Sequence, residues 1–187
     1  MPRFLLSILC FVALTSVAAG CGGDDPQSEA PSPEAVRKAL KGSPPALGAV
    51  HAQANELLDG GPEALKERLG ELKGHPVVVN KWAAWCGPCR EEFPHFQSQA
   101  LKHGKRIAFL GVDSDDNYDD ARELLAEFPV TYPSYKDPRL TVAAVFNGVA
   151  ATPATAFYDS KGKLAYLHQG AYLDERDLAD DIRRYAR

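Results

Sequence analysis

The stretch Pro76-Val77-Val78-Val79-Asn80-Lys81-Trp82-Ala83-Ala84-Trp85-Cys86-Gly87-Pro88-Cys89-Arg90-Glu91-Glu92-Phe93 sets an apolar run, a close cysteine pair and the start of a helix-forming segment in direct succession. The continuous apolar start of Val77–Trp82 predicts a central strand covered on both faces. The residues from Cys86 to about Lys102 read as a long helix, kinked at Pro94, where the proline ring removes one backbone hydrogen bond. Strand, cysteine pair and helix in that order put Cys86 at a helix N-terminus. Free N–H groups and the helix dipole there favour the thiolate over the thiol. Cys89 lies one helical turn inward, shielded, and is placed to attack whatever bonds to Cys86. Gly87-Pro88 forms a tight turn, and a proline in the first helical turn loses no helical hydrogen bond. The spacing therefore points to dithiol–disulfide exchange.

Composition narrows the alternatives. The chain has 187 residues and a formal net charge of −4, with no basic stripe of the kind a nucleic-acid binder carries. Of its four cysteines, Cys10 lies in an N-terminal apolar segment and Cys21 just after it. Only Cys86 and Cys89 remain for the folded body, so this is not a disulfide-stapled scaffold. No metal is expected. A structural zinc site needs about four ligands. Asp113-Ser114-Asp115-Asp116-Asn117 resembles a calcium loop only at its start, because Tyr118 stands where the loop needs glycine and Leu124 where it needs a bidentate glutamate.

The N-terminus reads as an export signal spanning residues 1–20. Arg3 supplies the positive charge, and the apolar stretch from Phe4 to Val17 is shorter than the roughly 20 residues a membrane-spanning helix needs. Ala18-Ala19-Gly20-Cys21 resembles a bacterial lipobox, with Ala18 standing where leucine is usual. The resemblance implies cleavage before Cys21 and lipid attachment to its sulfur. Residues 21–45 are rich in Pro and Gly and read as a lipid-anchored flexible tether, although Glu34–Leu40 has helical character. The alternatives are a plain secretory signal and an uncleaved membrane anchor. Residues 46–187 form the folded domain.

Within that domain, apolar spacing predicts a helix over Leu47–Leu58, stopped by Asp59-Gly60-Gly61, and a second over Pro62–Leu72. After the central strand and its helix come a strand at Arg106–Val112, a helix at Tyr118–Phe128, an extended piece at Pro133–Tyr135 and a short helix at Leu140–Phe146. Strands at Thr155–Tyr158 and Leu164–Leu167 flank the turn Asp159-Ser160-Lys161-Gly162, and Asp174–Tyr185 closes the chain as a helix. Strand–helix alternation followed by a hairpin predicts an α/β fold with a sheet of mixed direction, helices on both faces. Lys81 is unusual in such a strand. A buried amine is costly unless paired, so it is expected to reach the strand end or an acidic side chain.

Trp82-Ala83-Ala84-Trp85-Cys86-Gly87-Pro88-Cys89, Pro94 at the kink position and Thr152-Pro153 before a strand together resemble the thioredoxin superfamily, over roughly His51 to Arg187. The long interval from Cys89 to Pro153 resembles its extracytoplasmic TlpA/ResA-type branch. The resemblance implies a thioredoxin-like three-layer α/β/α fold and a redox-active Cys86–Cys89 disulfide with no further cofactor. It also implies a site shaped by Trp85, Gly87, Pro88, Thr152 and Pro153, where a cis Pro153 would place the Thr152 backbone across from Cys86 for an extended substrate segment to pair with. Asn80 stands where cytoplasmic relatives carry a buried aspartate that assists proton transfer at the second cysteine. Extracytoplasmic relatives use an acid from the inserted region, which makes Asp116, then Asp115, the candidate proton relay.

The function so implied is a membrane-tethered extracytoplasmic thiol-disulfide oxidoreductase, lipid-anchored to a bacterial membrane through Cys21 and acting as a monomer in the reducing direction. Its partners would be protein thiols and disulfides, an apo-cytochrome c cysteine pair among them, and a membrane electron donor. The alternatives are a peroxiredoxin-like thiol peroxidase, for which no Pro/Thr-lined cysteine pocket is evident, and a non-enzymatic apo-cytochrome or copper chaperone.

Overall fold

A computed structural model of the protein describes Met1 and residues 31–187. The signal segment beyond Met1, Cys10, Cys21 and residues 22–30 of the tether lie outside the described residues. In the remainder of that tether, helix α1 (Pro33–Leu40) starts at Ser32, whose Oγ accepts the Ala35 N–H, and it packs on the long helix of the domain. No helix among the described residues is long and apolar enough to cross a membrane.

Helix α2 (Pro45–Ala52) ends six residues earlier than the periodicity of Leu47–Leu58 predicts, and Leu57–Leu58 is a short strand, β1. Asn55 makes the break. It takes a positive φ of 66°, a conformation asparagine tolerates better than most residues. Its amide donates to Leu125 O (3.0 Å) and accepts from Val130 N (3.0 Å), while its backbone N–H donates to Tyr132 O (3.0 Å). These bonds turn the chain onto a sheet edge that residues far along the sequence supply.

The other elements follow the predicted order. They are α3 (Gly61–Glu71), β2 (Val77–Trp82), α4 (Gly87–His103), β3 (Ala108–Ser114), α5 (Tyr118–Glu127) and β4 (Ser134–Asp137). Two 3₁₀ turns (Ala143–Phe146 and Gly148–Ala150) lead to β5 (Ala154–Tyr158), β6 (Leu164–Gln169) and α6 (Glu175–Tyr185). The six strands form one mixed sheet in the order β1-β4-β3-β2-β5-β6. β1, β4, β3 and β2 run parallel, and β5 and β6 run antiparallel to their neighbours.

β2 lies at the centre and all six of its residues are buried. Successive side chains point to opposite faces. Asn80 meets Glu92 of α4, whereas Lys81 meets the 3₁₀ segment at Gly148. Hence α4, with α6 packed against it, covers one face, and the 3₁₀ turns, with α3 against them, cover the other. Three layers result, as expected. Trp82 fixes the seating of α4. Its indole lies across Gly111, where a Cβ would stand 2.9 Å from Nε1, donates to Ser134 Oγ (3.1 Å) and meets the Phe93 ring edge-on at 5.3 Å.

Candidate active site

The chain leaves β2 at Trp82, turns through Ala83–Trp85 and enters α4 at Cys86, which is the helix N-cap (φ −87°, ψ 101°). Cys86 and Cys89 form a disulfide with their Cα atoms 5.3 Å apart. Cys86 Sγ accepts the Cys89 backbone N–H at 3.2 Å. That donor and the helix dipole would stabilise a thiolate on Cys86 once the bond is reduced. Both cysteines are buried, but Cys86 keeps 3% exposure and Cys89 none. An incoming sulfur therefore reaches Cys86 first. Gly87 and Pro88 between them are exposed.

The loop after β3 braces the segment that carries Cys86. Asp116 accepts the Ala84 N–H in a short hydrogen bond and the Asn117 N–H at 2.8 Å. Asp115, at a positive φ of 55°, accepts the Trp85 indole N–H on its carbonyl at 2.9 Å. Trp85 itself is 61% exposed beside the disulfide. Asp116 and Asp115 thus lie where the approach to Cys86 begins. Asp116 is half-buried with its carboxylate turned inward, and the Asp115 side chain is exposed.

Opposite them, the Thr152–Pro153 bond is cis. The antiparallel register Lys81↔Ala154 brings the start of β5 to the end of β2 that leads to Cys86. Pro153 is buried and its carbonyl accepts Gly170 N (3.0 Å), whereas the Thr152 N–H and C=O have no hydrogen-bond partner among the described residues. An edge of free backbone is therefore available for an extended segment to pair with. Apart from Met1, the exposed large hydrophobic residues described are Trp85, just after β2, Val149, in the second 3₁₀ turn before β5, and Leu173, just after β6.

Two buried carboxyls at the site were not singled out from the sequence. Glu92, fully buried, lies one turn beyond Cys89 on the same helix. It accepts from Asn80 Nδ2 (2.8 Å) and Tyr172 N (3.0 Å). Burial pushes it up to about 7, against the pull of those two donors. Asn80 thus serves to hold an acid on α4. The spacing Cys89–Glu92 was visible in the sequence; the burial was not. Asp113, opposite Trp82 in the sheet register, is also fully buried. Neither of its oxygens has a donor, because its neighbour Asp116 is also a carboxylate. Burial first, then Asp116, push Asp113 up to about 8. Once protonated, it becomes the donor that the pair lacks.

Fold and site define a thioredoxin-like protein with a dithiol–disulfide pair at the mouth of its central helix. Residues 52–182 match the Redoxin family model, and the chain belongs to that family. It is 28% identical over 112 residues to the thiol-disulfide oxidoreductase ResA of Oceanobacillus iheyensis, covering 58% of this chain and 57% of the relative. Among solved structures it resembles a putative thiol:disulfide interchange protein DsbE from Chlorobium tepidum (30% identity, TM-score 0.57), with 62% of this chain and 83% of that one covered. It also resembles DsbF of Mycobacterium tuberculosis (31% identity, TM-score 0.55), with 60% and 82% covered. The chain spans less than two thirds of the length of the curated relatives it matches.

Proposed function

We propose that the protein is a thiol-disulfide oxidoreductase acting on protein substrates through Cys86 and Cys89, in the reducing direction, outside the cytoplasm and tethered by a lipid on Cys21. The observation that carries the reading is the paired sulfurs at the N-cap of α4, with only the first open to attack. The names of ResA, DsbE and DsbF support the same chemistry. The free Thr152 backbone and the exposed Trp85, Val149 and Leu173 suit an extended client segment with hydrophobic residues beside its cysteine. Gly87-Pro88 between the cysteines supports the reducing direction by resemblance, and Ala18-Ala19-Gly20-Cys21 supports the tether. A membrane dithiol donor would return electrons to the pair, and an apo-cytochrome cysteine pair is one client that fits.

Insulin reduction by the protein under dithiothreitol turnover tests this directly, beside peroxide consumption and a copper titration. Accelerated insulin precipitation is expected. Peroxide consumption or stoichiometric copper uptake without insulin reduction would favour the peroxidase or the chaperone instead.

Release of the client requires Cys89 to lose its proton. Asp116, bonded to Ala84 in the segment before the disulfide, and Glu92, one turn from Cys89 on α4, are our candidates to receive it. Asp116→Asn and Glu92→Gln should each slow resolution of a preformed mixed disulfide, by about 10²-fold for the residue that takes the proton. Rates unchanged from pH 5 to pH 9 in either variant would remove that residue from the relay.

A further inference from the structure

Lys81 is the one charged residue in β2, and it is 1% exposed. Its Nζ donates to Ala151 O (2.9 Å), Gly148 O (3.1 Å) and Val149 O (3.5 Å), so its partners are carbonyls rather than a carboxylate. Burial lowers its pKa, and the carboxylates of Asp137 and Asp115 oppose that. Asp137, also fully buried, accepts Val142 N (2.9 Å), Ala143 N (2.8 Å) and Ser114 Oγ (3.1 Å). One buried charge therefore pins the start of the crossover from β4 to β5, and the other pins its end. The segment between is packed tightly. A Cβ on Gly148 would stand 2.1 Å from the Phe146 ring.

The end that Lys81 holds is the approach to Thr152 and cis Pro153. The Ala151 carbonyl and the Thr152 N–H share one peptide plane and point to opposite edges of it. A grip on that carbonyl therefore sets the direction of the N–H. Lys81 also stands five residues before Cys86, on the strand that delivers it. We propose that Lys81 is a positioning residue for client binding: by holding the Ala151 carbonyl it aims the unpartnered Thr152 N–H across the disulfide, and so keeps the backbone edge that binds the client in register with the sulfur that attacks it. The proposal deepens the oxidoreductase reading and rests on it. Lys81 takes no part in the electron or proton transfer.

Lys81→Met and Lys81→Gln in the full chain test this; Gln retains an N–H donor. With insulin as client, Lys81→Met should raise KM about fivefold, the loss of roughly one directed hydrogen bond, with kcat within about twofold. Lys81→Gln should recover part of the change. Reduction of 5,5′-dithiobis(2-nitrobenzoate), which has no backbone to pair, should stay within about twofold for both variants. Hydrogen exchange supplies a readout independent of turnover: amides at 148–153 should exchange faster in Lys81→Met while those of β3 and α4 do not. Equal losses on insulin and on the small disulfide, an unchanged KM, unchanged exchange at 148–153, or failure of both variants to fold would each overturn the role. Wild-type protein that fails to reduce insulin would remove the oxidoreductase reading instead, leaving the exchange result to decide whether Lys81 orders the segment.

Discussion

Cys89→Ala protein, incubated reduced with a disulfide-containing client, should accumulate a covalent adduct on Cys86, while Cys86→Ser should form none and lose turnover to background. The expectation follows from the order of the two sulfurs. Once reduced, Cys86 would be the sulfur favoured as thiolate, because the Cys89 N–H and the α4 N-terminus face it. Its attack on the client disulfide forms one S–S bond, breaks another and expels one client thiolate. Cys89, deprotonated, then attacks Cys86 Sγ, re-forms the Cys86–Cys89 disulfide and expels the second client thiolate. In the proposed reducing direction, two electrons would thereby pass to the client. Removal of Cys89 stops the sequence at the first bond, and removal of Cys86 stops it before that, since Cys89 has no exposed surface of its own. Mass spectrometry of adducts trapped at acid pH, in the host of origin, would also identify the clients. Adducts formed equally by Cys86→Ser would reverse the assigned order, and the absence of any adduct on Cys86 would remove the exchange mechanism.

The second large effect is on stability. Asp113, pushed up to about 8 from 3.8, and Glu92, pushed up to about 7 from 4.5, bind protons in the folded state that the unfolded chain has already released. Stability must then fall as pH rises from about 4 towards 8 and level off above, with a slope of up to about 1.4 kcal/mol per pH unit for each proton involved. This is the reverse of the behaviour of a salt-bridged carboxylate. Asp113→Asn keeps the shape and supplies an N–H donor to Asp116 that needs no titration. The variant should match wild type near pH 4–5 and exceed it near pH 8 by on the order of a few kcal/mol. Urea unfolding at four pH values, with the disulfide intact, gives both slopes. A wild-type stability that rises with pH, or a variant with the wild-type slope, would show that Asp113 is ionised in the folded protein.

Much of the molecule was legible because its signals are local. The apolar run of β2, the cysteine spacing and the proline in the first turn of α4 each act within a few residues, and all lie where they were expected. The hairpin of β5 and β6 was also announced by its turn residues, with Asp159 Oδ1 accepting from Lys161 and Lys163 N (2.9 Å each). The helix expected over Leu47–Leu58 stopped short because β1 pairs with β4, whose partners Ser134 and Tyr135 lie 77 residues on. Asp115 and Asp116 were visible as a charged loop, yet Asp113, two residues earlier in β3, carries the larger burial. No pattern within β3 distinguishes a carboxyl that stays dry from one that reaches water.

The sequence by itself determined the order of the elements, the sulfur pair and the helix mouth that holds it, because each depends on backbone geometry and on neighbours a turn or less away. Only the tertiary structure decided which charges stay inside. Glu92 is enclosed by Asn80 and by Tyr172 arriving 80 residues later, and Lys81 is satisfied by carbonyls at Gly148 and Ala151. Whether an ionisable side chain is dry, and what meets it there, is set by segments remote in the chain, and that enclosure shifts its proton affinity and gives it a role.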